Sequence, residues 1–429
     1  MENKLVNANN GCKYKILTLS DHPLAPSGVG IQSRYLFESL LNTGKYSIRS
    51  FGGAIKHGNY DVAHVQPYGS DWIIVPTDGF GDPMKLRVAM ATEKPDAILL
   101  FTDPRFFVWV FEMEDEIHDI CPIIYNHIWD EEPFPAFNRP IYEATDTLNC
   151  ISWKTYSLVH PNYPEKTNYI PHALHKSVFK PLQNSEVYAY KKQILGEDNV
   201  DTFTAIWVNR NARRKRPGDV LDSWRIFCNQ LEKECGHRKA IIIMHTDPLD
   251  QEGPNLYKQI EMLGLEQNVY ISKEKLDFDK MNILYNISDI CVNISNAEGF
   301  GLSTLEALYC AKPIVVTKTG GLTRQVENPE TGEQYGVGLE PDVRTLVGSQ
   351  LVPYIYEDLI HNSNTANAIY KMYILGADGR KELGMRGQRY AHNAFSMEHL
   401  TKRWDETLEE TILKYKENRN KPRYVIKTI

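Results

Sequence analysis

Cysteine is scarce in this 429-residue sequence: seven residues, an odd number, with no C-x-x-C spacing. That pattern excludes a disulfide framework and a structural zinc site. Cys121, Cys150, Cys291 and Cys310 lie in or beside apolar runs, where cysteine packs as a small hydrophobe. A reducing cytoplasm is the compartment this implies. Long hydrophobic runs are missing too. The longest candidates, Ala97–Phe101 and Phe106–Phe111, are strand-sized, far below the ~18 apolar residues of a membrane-spanning helix. The first twenty residues hold no uninterrupted apolar stretch and no small-residue cleavage site, so no signal peptide is expected. There is no low-complexity tract, no heptad run and no internal repeat, which removes coiled coils, solenoids and propellers. Positive charge is also in short supply. The net charge is −7, and residues 1–179 hold 15 Lys and Arg against 21 Asp and Glu. Such a half has no bulk attraction for DNA or anionic lipid.

What remains is an ordinary globular composition, 42% apolar and 24% charged, on a chain long enough for two domains. Its first strand is expected at Lys15–Leu19, followed by DHPLAPSGVG and a helical pattern in IQSRYLFESLLN. Gly28 and Gly30 therefore sit where a strand gives way to a helix. Further strands are expected at Ser47–Phe51, Trp72–Pro76, Ala97–Thr102 and Pro122–Asn126. Helices are expected at Pro83–Glu93 and Phe106–Ile117. A proline-rich stretch then leads to a domain boundary near Pro181.

The second half restarts the alternation. Strands are expected at Phe203–Val208, Lys239–His245, Val269–Ser272, Ile290–Ile294 and Pro313–Thr317. Helices are expected at Pro217–Glu234, Asn255–Leu263, Asp279–Ser288 and Leu302–Cys310. Met397–Tyr415 reads as an amphipathic helix, with the basic KENRNKPRYVIK after it as a solvated end. Strands alternating with helices imply parallel sheets. The fold class is thus α/β, with two Rossmann-like doubly wound domains facing a cleft, over residues 1–180 and 181–395. The helix of residues 396–429 would pack back toward the first domain. Ligands of such sheets bind outside the carboxyl ends of the strands.

The most informative stretch is SNAEGFGLSTLEALYCAKPIVVTKTGGL, Ser295–Leu322. Glu298 precedes a helix and Glu306 lies in its second turn. Between them Gly299 and Gly301 remove side chains where a ligand can approach backbone N–H groups. The first helical turn offers unpaired donors and a partial positive charge, which suits anions.

This segment resembles the E-x7-E signature of retaining GT-B glycosyltransferases, most closely glycosyltransferase family 4. AIWVNRNARRKRPGDVLDSW is similar to that family's strand, basic loop and helix. IPHALHKSVFKP is similar to its inter-domain linker, with Ala173 where glycine is usual. The resemblance implies that Arg210 and Lys215 grip the donor diphosphate. It implies that Glu298 contacts the transferred sugar, that Glu306 binds the ribose hydroxyls, and that backbone amides of Phe300–Leu302 hold hydroxyls or phosphate. It further implies that Gly28 and Gly30 approach the donor and that His127 faces the sugar. Asp130 lies three residues on from His127, within reach of the cleft. No metal and no resident cofactor are implied, since side chains supply the positive charge. The partners are a nucleotide sugar and a hydroxyl acceptor, with no membrane span.

Arg213, Arg214 and Arg216 read as rim or solvent-facing residues. The D-x-D pair Asp277 and Asp279 sits where a helix begins, so N-capping accounts for it better than a metal. His245 and Asp247 shape a strand-end loop. A nicotinamide oxidoreductase is the competing enzyme class, but Ser33 leaves G-x-G-x-x-G incomplete. A non-catalytic sugar-binding scaffold is the third class. The acidic first half favours a soluble saccharide, small molecule or protein as acceptor. A hydroxymethylated DNA base, as in virus-type base-modifying transferases, stays as the alternative.

Overall fold

The computed structural model describes residues 13–419; most of the basic end lies outside them. The chain forms two compact units. The first gathers the chain up to Trp129, Phe134–Ala173 and the segment from Met397 onward. The second holds Leu174–Ser396 together with Asp130–Pro133. The division falls at Ala173, earlier than the expected boundary near Pro181, and the packing explains why. Ile170 and Ala173 are buried with Trp404, Leu408 and Ile412 in the core of the first unit. Phe179 instead sets its ring edge-on to Phe278 and Tyr285 in the second, at 6.0 and 5.9 Å.

The first unit carries β1 (Tyr14–Asp21), β2 (Tyr46–Gly53), β3 (Ala63–His64), β4 (Trp72–Pro76), β5 (Ala97–Thr102), β6 (Ile123–His127), β7 (Thr147–Cys150) and β8 (Thr167–Tyr169). They are ordered β3-β4-β2-β1-β5-β6-β7-β8, and all pairings but the short antiparallel β3–β4 are parallel. The expected helix Phe106–Ile117 is broken. Phe107 and Met113 leave the helical region, with φ −118° and −100°. The short helices Val108–Phe111 and Glu114–His118 result. Both breaking residues, with Val110, Phe111 and Ile117, are buried in one core, so packing overrides the helical period.

The second unit carries β9 (Phe203–Val208), β10 (Ala240–His245), β11 (Val269–Ser272), β12 (Ile290–Asn293), β13 (Ile314–Thr317) and β14 (Gly336–Leu339), all parallel, in the order β11-β10-β9-β12-β13-β14. Counting from β9, that is the 3-2-1-4-5-6 order of a doubly wound dinucleotide-type sheet. Its switch point lies between β9 and β12, where successive connections leave in opposite directions. An antiparallel hairpin, β15 (Val343–Val347) and β16 (Ile355–Leu359), stands apart from this sheet. Trp207, Trp224, Phe227 and Ile242, none of them solvent-exposed, belong to the core that fixes β9 and the helix after it.

Candidate active site

Two loops leave the carboxyl ends of β9 and β12 side by side. After β9, Arg213–Lys215 form one tight turn, and Arg216 adopts a left-handed conformation before the helix Pro217–Cys235. After β12, residues 294–301 are all buried. The two loops meet at an ion pair between Lys215 Nζ and a Glu298 carboxylate oxygen. Burial opposes charge on Glu298, but Lys215 and Arg214 together hold its carboxyl below the usual range. Burial also draws the Lys215 ammonium below its ordinary value, against the pull of Glu298. A buried pair of this kind costs more desolvation than a surface pair.

The helix Leu302–Tyr309 begins directly after this loop. Gly301 caps it at φ +90°, and among the described residues no side chain makes a capping hydrogen bond there. A Cβ on Gly301 would meet Leu322 Cδ2 at 2.4 Å, and one on Gly320 would meet the Glu298 carbonyl oxygen at 1.9 Å. Backbone is thus pressed on backbone, with the Gly321 N–H donating to that same carbonyl at 2.9 Å. Gln325 Nε2 donates to the Phe300 carbonyl at 2.7 Å and locks the loop from the other side. Glu306 accepts the Tyr285 hydroxyl at 2.6 Å, and burial pushes its carboxyl up to about 7.

The structure therefore brings Lys215, Glu298, Gly299, Phe300, Gly301 and Leu302 together. Glu306 follows on the same helix, one turn further in. Arg210 is placed differently. Its exposed guanidinium pairs with Asp250 at 2.7 and 3.1 Å and with Glu252 at 3.4 Å. Arg214, expected at the rim, is a second cation near Glu298 that helps to lower its carboxyl. Its Nη1 donates to the Ala297 carbonyl at 2.9 Å and lies 3.4 Å from Asp130. Arg216 is mostly buried on Asp219. The expectation of solvent exposure fails for Arg216, whose side chain the tight turn folds inward, and holds for Arg213 and Arg214, whose side chains are 70% and 42% exposed. Sequence reasoning also missed Glu131, which is 0% exposed and accepts from Thr319 Oγ1 and the Gly320 N–H at 2.9 and 2.7 Å.

In the first unit, Ser27 caps the helix Gly28–Leu41 through the Gly30 N–H at 3.0 Å. A Cβ on Gly30 would meet the carbonyl oxygens of His22 and Ala25 at 2.7 and 2.8 Å, so protein backbone already fills the space beside it. Gly28 is exposed. His127 is 0% exposed, its ring flanked by Tyr125 and Tyr142, with Nε2 2.6 Å from the Tyr142 hydroxyl. Burial pushes its pKa down to about 3, and its Nδ1 has no hydrogen-bond partner among the described residues. Asp277 caps the helix Phe278–Asn286 through the Lys280 N–H. His245 lies 2.9 Å from Ser272 Oγ, and Asp247 accepts the Leu249 N–H.

Residues 193–340 match the family model described as glycosyl transferases group 1. The N-acetyl-alpha-D-glucosaminyl L-malate synthase of Bacillus anthracis is 29% identical over 250 residues, covering 56% of this chain and 58% of the synthase. The chain thus spans less than two thirds of that relative. Among solved structures, sucrose-phosphate synthase from Thermosynechococcus elongatus superposes with a TM-score of 0.70 at 16% identity, over 94% of this chain and 100% of that one. Anabaena HepE, solved in complex with UDP and glucose, superposes at 0.66 and 18% identity, over 92% and 99%. No helix among the described residues is long and apolar enough to cross a membrane. The fold is that of the GT-B glycosyltransferases, and the stretch carrying Lys215, Glu298 and Glu306 matches the group 1 glycosyl transferase model.

Proposed function

We propose that the chain is a retaining glycosyltransferase that moves a sugar from a nucleoside-diphosphate sugar to a hydroxyl acceptor. The observation that carries this reading is the buried Lys215–Glu298 pair beside the uncapped start of the helix Leu302–Tyr309, at the switch point of a doubly wound sheet. On donor binding the diphosphate takes Lys215, and a sugar hydroxyl donates to Glu298, so each partner of the ion pair is replaced. The first-turn N–H groups add the positive end of the helix. Arg210 joins by exchanging Asp250 and Glu252 for phosphate oxygen, and Glu306 accepts the ribose hydroxyls.

In the reaction the bond between the anomeric carbon and the leaving phosphate oxygen breaks. The acceptor oxygen bonds to that carbon on the same face, and its proton passes to the departing phosphate. Negative charge grows on the leaving group, and fixed cations aimed there are the largest catalytic contribution. Because lysine and arginine supply that charge, turnover is independent of divalent metal. The donor is of the UDP or GDP type. The acceptor is a soluble saccharide, small molecule or protein, in keeping with an acidic first half.

A thermal-shift screen of UDP- and GDP-sugars tests the reading, because a ligand of the folded state raises the melting temperature by mass action. At least one nucleotide sugar is expected to stabilise the protein and to lose its nucleotide on incubation. No stabilisation by any of them contradicts the reading.

A further inference from the structure

The hairpin β15–β16 lies outside the parallel sheet, yet its second strand carries two carboxylates into the loops that end β9 and β12. Glu357, 6% exposed, accepts both terminal nitrogens of Arg213 at 2.9 and 2.6 Å. The same carboxylate accepts Asn296 Nδ2 at 3.0 Å. The Asp358 N–H donates to the Asn296 carbonyl at 2.8 Å, and the Asn296 N–H donates to the Arg214 carbonyl at 2.8 Å. Asn296 Oδ1 accepts from Arg216 at 3.3 Å. Asp358, 0% exposed, is held in turn by Arg344 Nε at 2.8 Å. One asparagine, two residues before Glu298, therefore ties together the basic turn, the hairpin and the loop that carries Glu298.

The charges are sorted by the same contacts. Arg213 and Arg214 are neighbours on one turn, but Glu357 pairs with both terminal nitrogens of Arg213, whose side chain is otherwise 70% exposed. Arg214 meets a carbonyl oxygen and the more distant Asp130. A bidentate arginine–carboxylate pair is the strongest form of such a contact and fixes geometry as well as charge.

We propose that the hairpin is a positioning element of the donor site. Glu357 and Asn296 hold the loop that presents Glu298, and Glu357 cancels Arg213 so that Lys215 and Arg214 set the charge offered to the diphosphate. This rests on the donor-site reading above. Neither Glu357 nor Asn296 touches the donor; both are positioning residues. The charge balance limits how tightly the product nucleotide is held and so protects its release.

The test is a double-mutant cycle read by calorimetric titration of UDP and GDP onto the full chain. Glu357→Gln keeps the shape and hydrogen-bonding oxygen but frees the charge of Arg213, so the nucleotide binds about fivefold tighter. Arg213→Gln leaves the carboxylate uncompensated, and binding weakens about fivefold. The double variant returns to within about twofold of wild type. Asn296→Ala keeps nucleotide affinity within about twofold but slows nucleotide release from the best-stabilising nucleotide sugar at least about tenfold. A purely structural role would move both single variants in the same direction and leave the double variant no better, which would overturn the proposal. If the wild type binds UDP or GDP but the cycle is flat, the hairpin's role alone falls. If the wild type binds neither nucleotide, the donor-site reading falls with it.

Discussion

The two sheets share a strand order about their first strands, yet their carboxyl ends are built differently. After β1 and at the end of β6 the chain packs on itself: Ser27 caps a helix, carbonyl oxygens crowd Gly30, and His127 is sealed among tyrosines. After β9 and β12 the chain gathers charges instead, with Lys215 on Glu298, Arg213 on Glu357 and Arg214 near Asp130. The first end is explained by packing alone. The second is not, because buried ion pairs are seldom worth their desolvation as stabilisers. A scaffold common to both units thus says where chemistry can sit, and only the unexplained charges say where it does.

The sharpest way to break that contrast is Lys215→Ala. Removing the cation that takes the diphosphate should slow turnover about 10³-fold, the range seen when one donor to a developing anion is lost. The melting temperature should fall as well, because Glu298 is left buried without its partner, by an amount that differential scanning calorimetry measures. A large loss of stability with unchanged turnover would put Lys215 on the structural side of the comparison.

The next effect concerns Glu306. Its carboxyl is raised to about 7 by burial, and in the proposed role its ionised form is the stronger acceptor of ribose hydroxyls. The protonated form is favoured below pH 7, so nucleotide affinity should fall by about tenfold in all as the pH drops through that value and level off on either side. Glu306→Gln should weaken binding about tenfold at pH 8 and abolish the slope. Titrations between pH 5.5 and 8.5, about the span needed, read both effects.

In the first unit the expected cost is to folding. Gly30→Ala forces a methyl group against two carbonyl oxygens and should destabilise by about 2 kcal/mol in denaturant titration, with UDP and GDP affinity unchanged. Loss of nucleotide binding without loss of stability would return that glycine loop to the donor site. The smallest effect is Asp277→Ala. It removes a helix cap worth about 1 kcal/mol and should leave turnover unchanged with or without added magnesium.

How much of this was legible in the sequence depended on the range of the interactions. Trp72–Pro76, Ala97–Thr102, Phe203–Val208 and Val269–Ser272 were readable to the residue as strands because turn residues bound their apolar runs. The loop of Glu298 was readable from glycine spacing beside a helix start. The hairpin was not. β15 and β16 are partly exposed and carry Arg344, Glu357 and Asp358, so no apolar alternation announces them. Their partners lie far along the chain, 61 residues from Asn296 to Glu357 and 144 from Arg213. The inward turn of Arg216 onto Asn296, 80 residues away, was hidden for the same reason. Four cations in a row look solvated until the turn that separates their directions is known.

The most direct measurement is a crystal structure of the full chain grown with UDP or GDP. The diphosphate should lie on Lys215 and the first-turn amides of the helix Leu302–Tyr309, with Glu298 released from the lysine. A nucleotide bound elsewhere, with Lys215 and Glu298 still paired, would contradict the account.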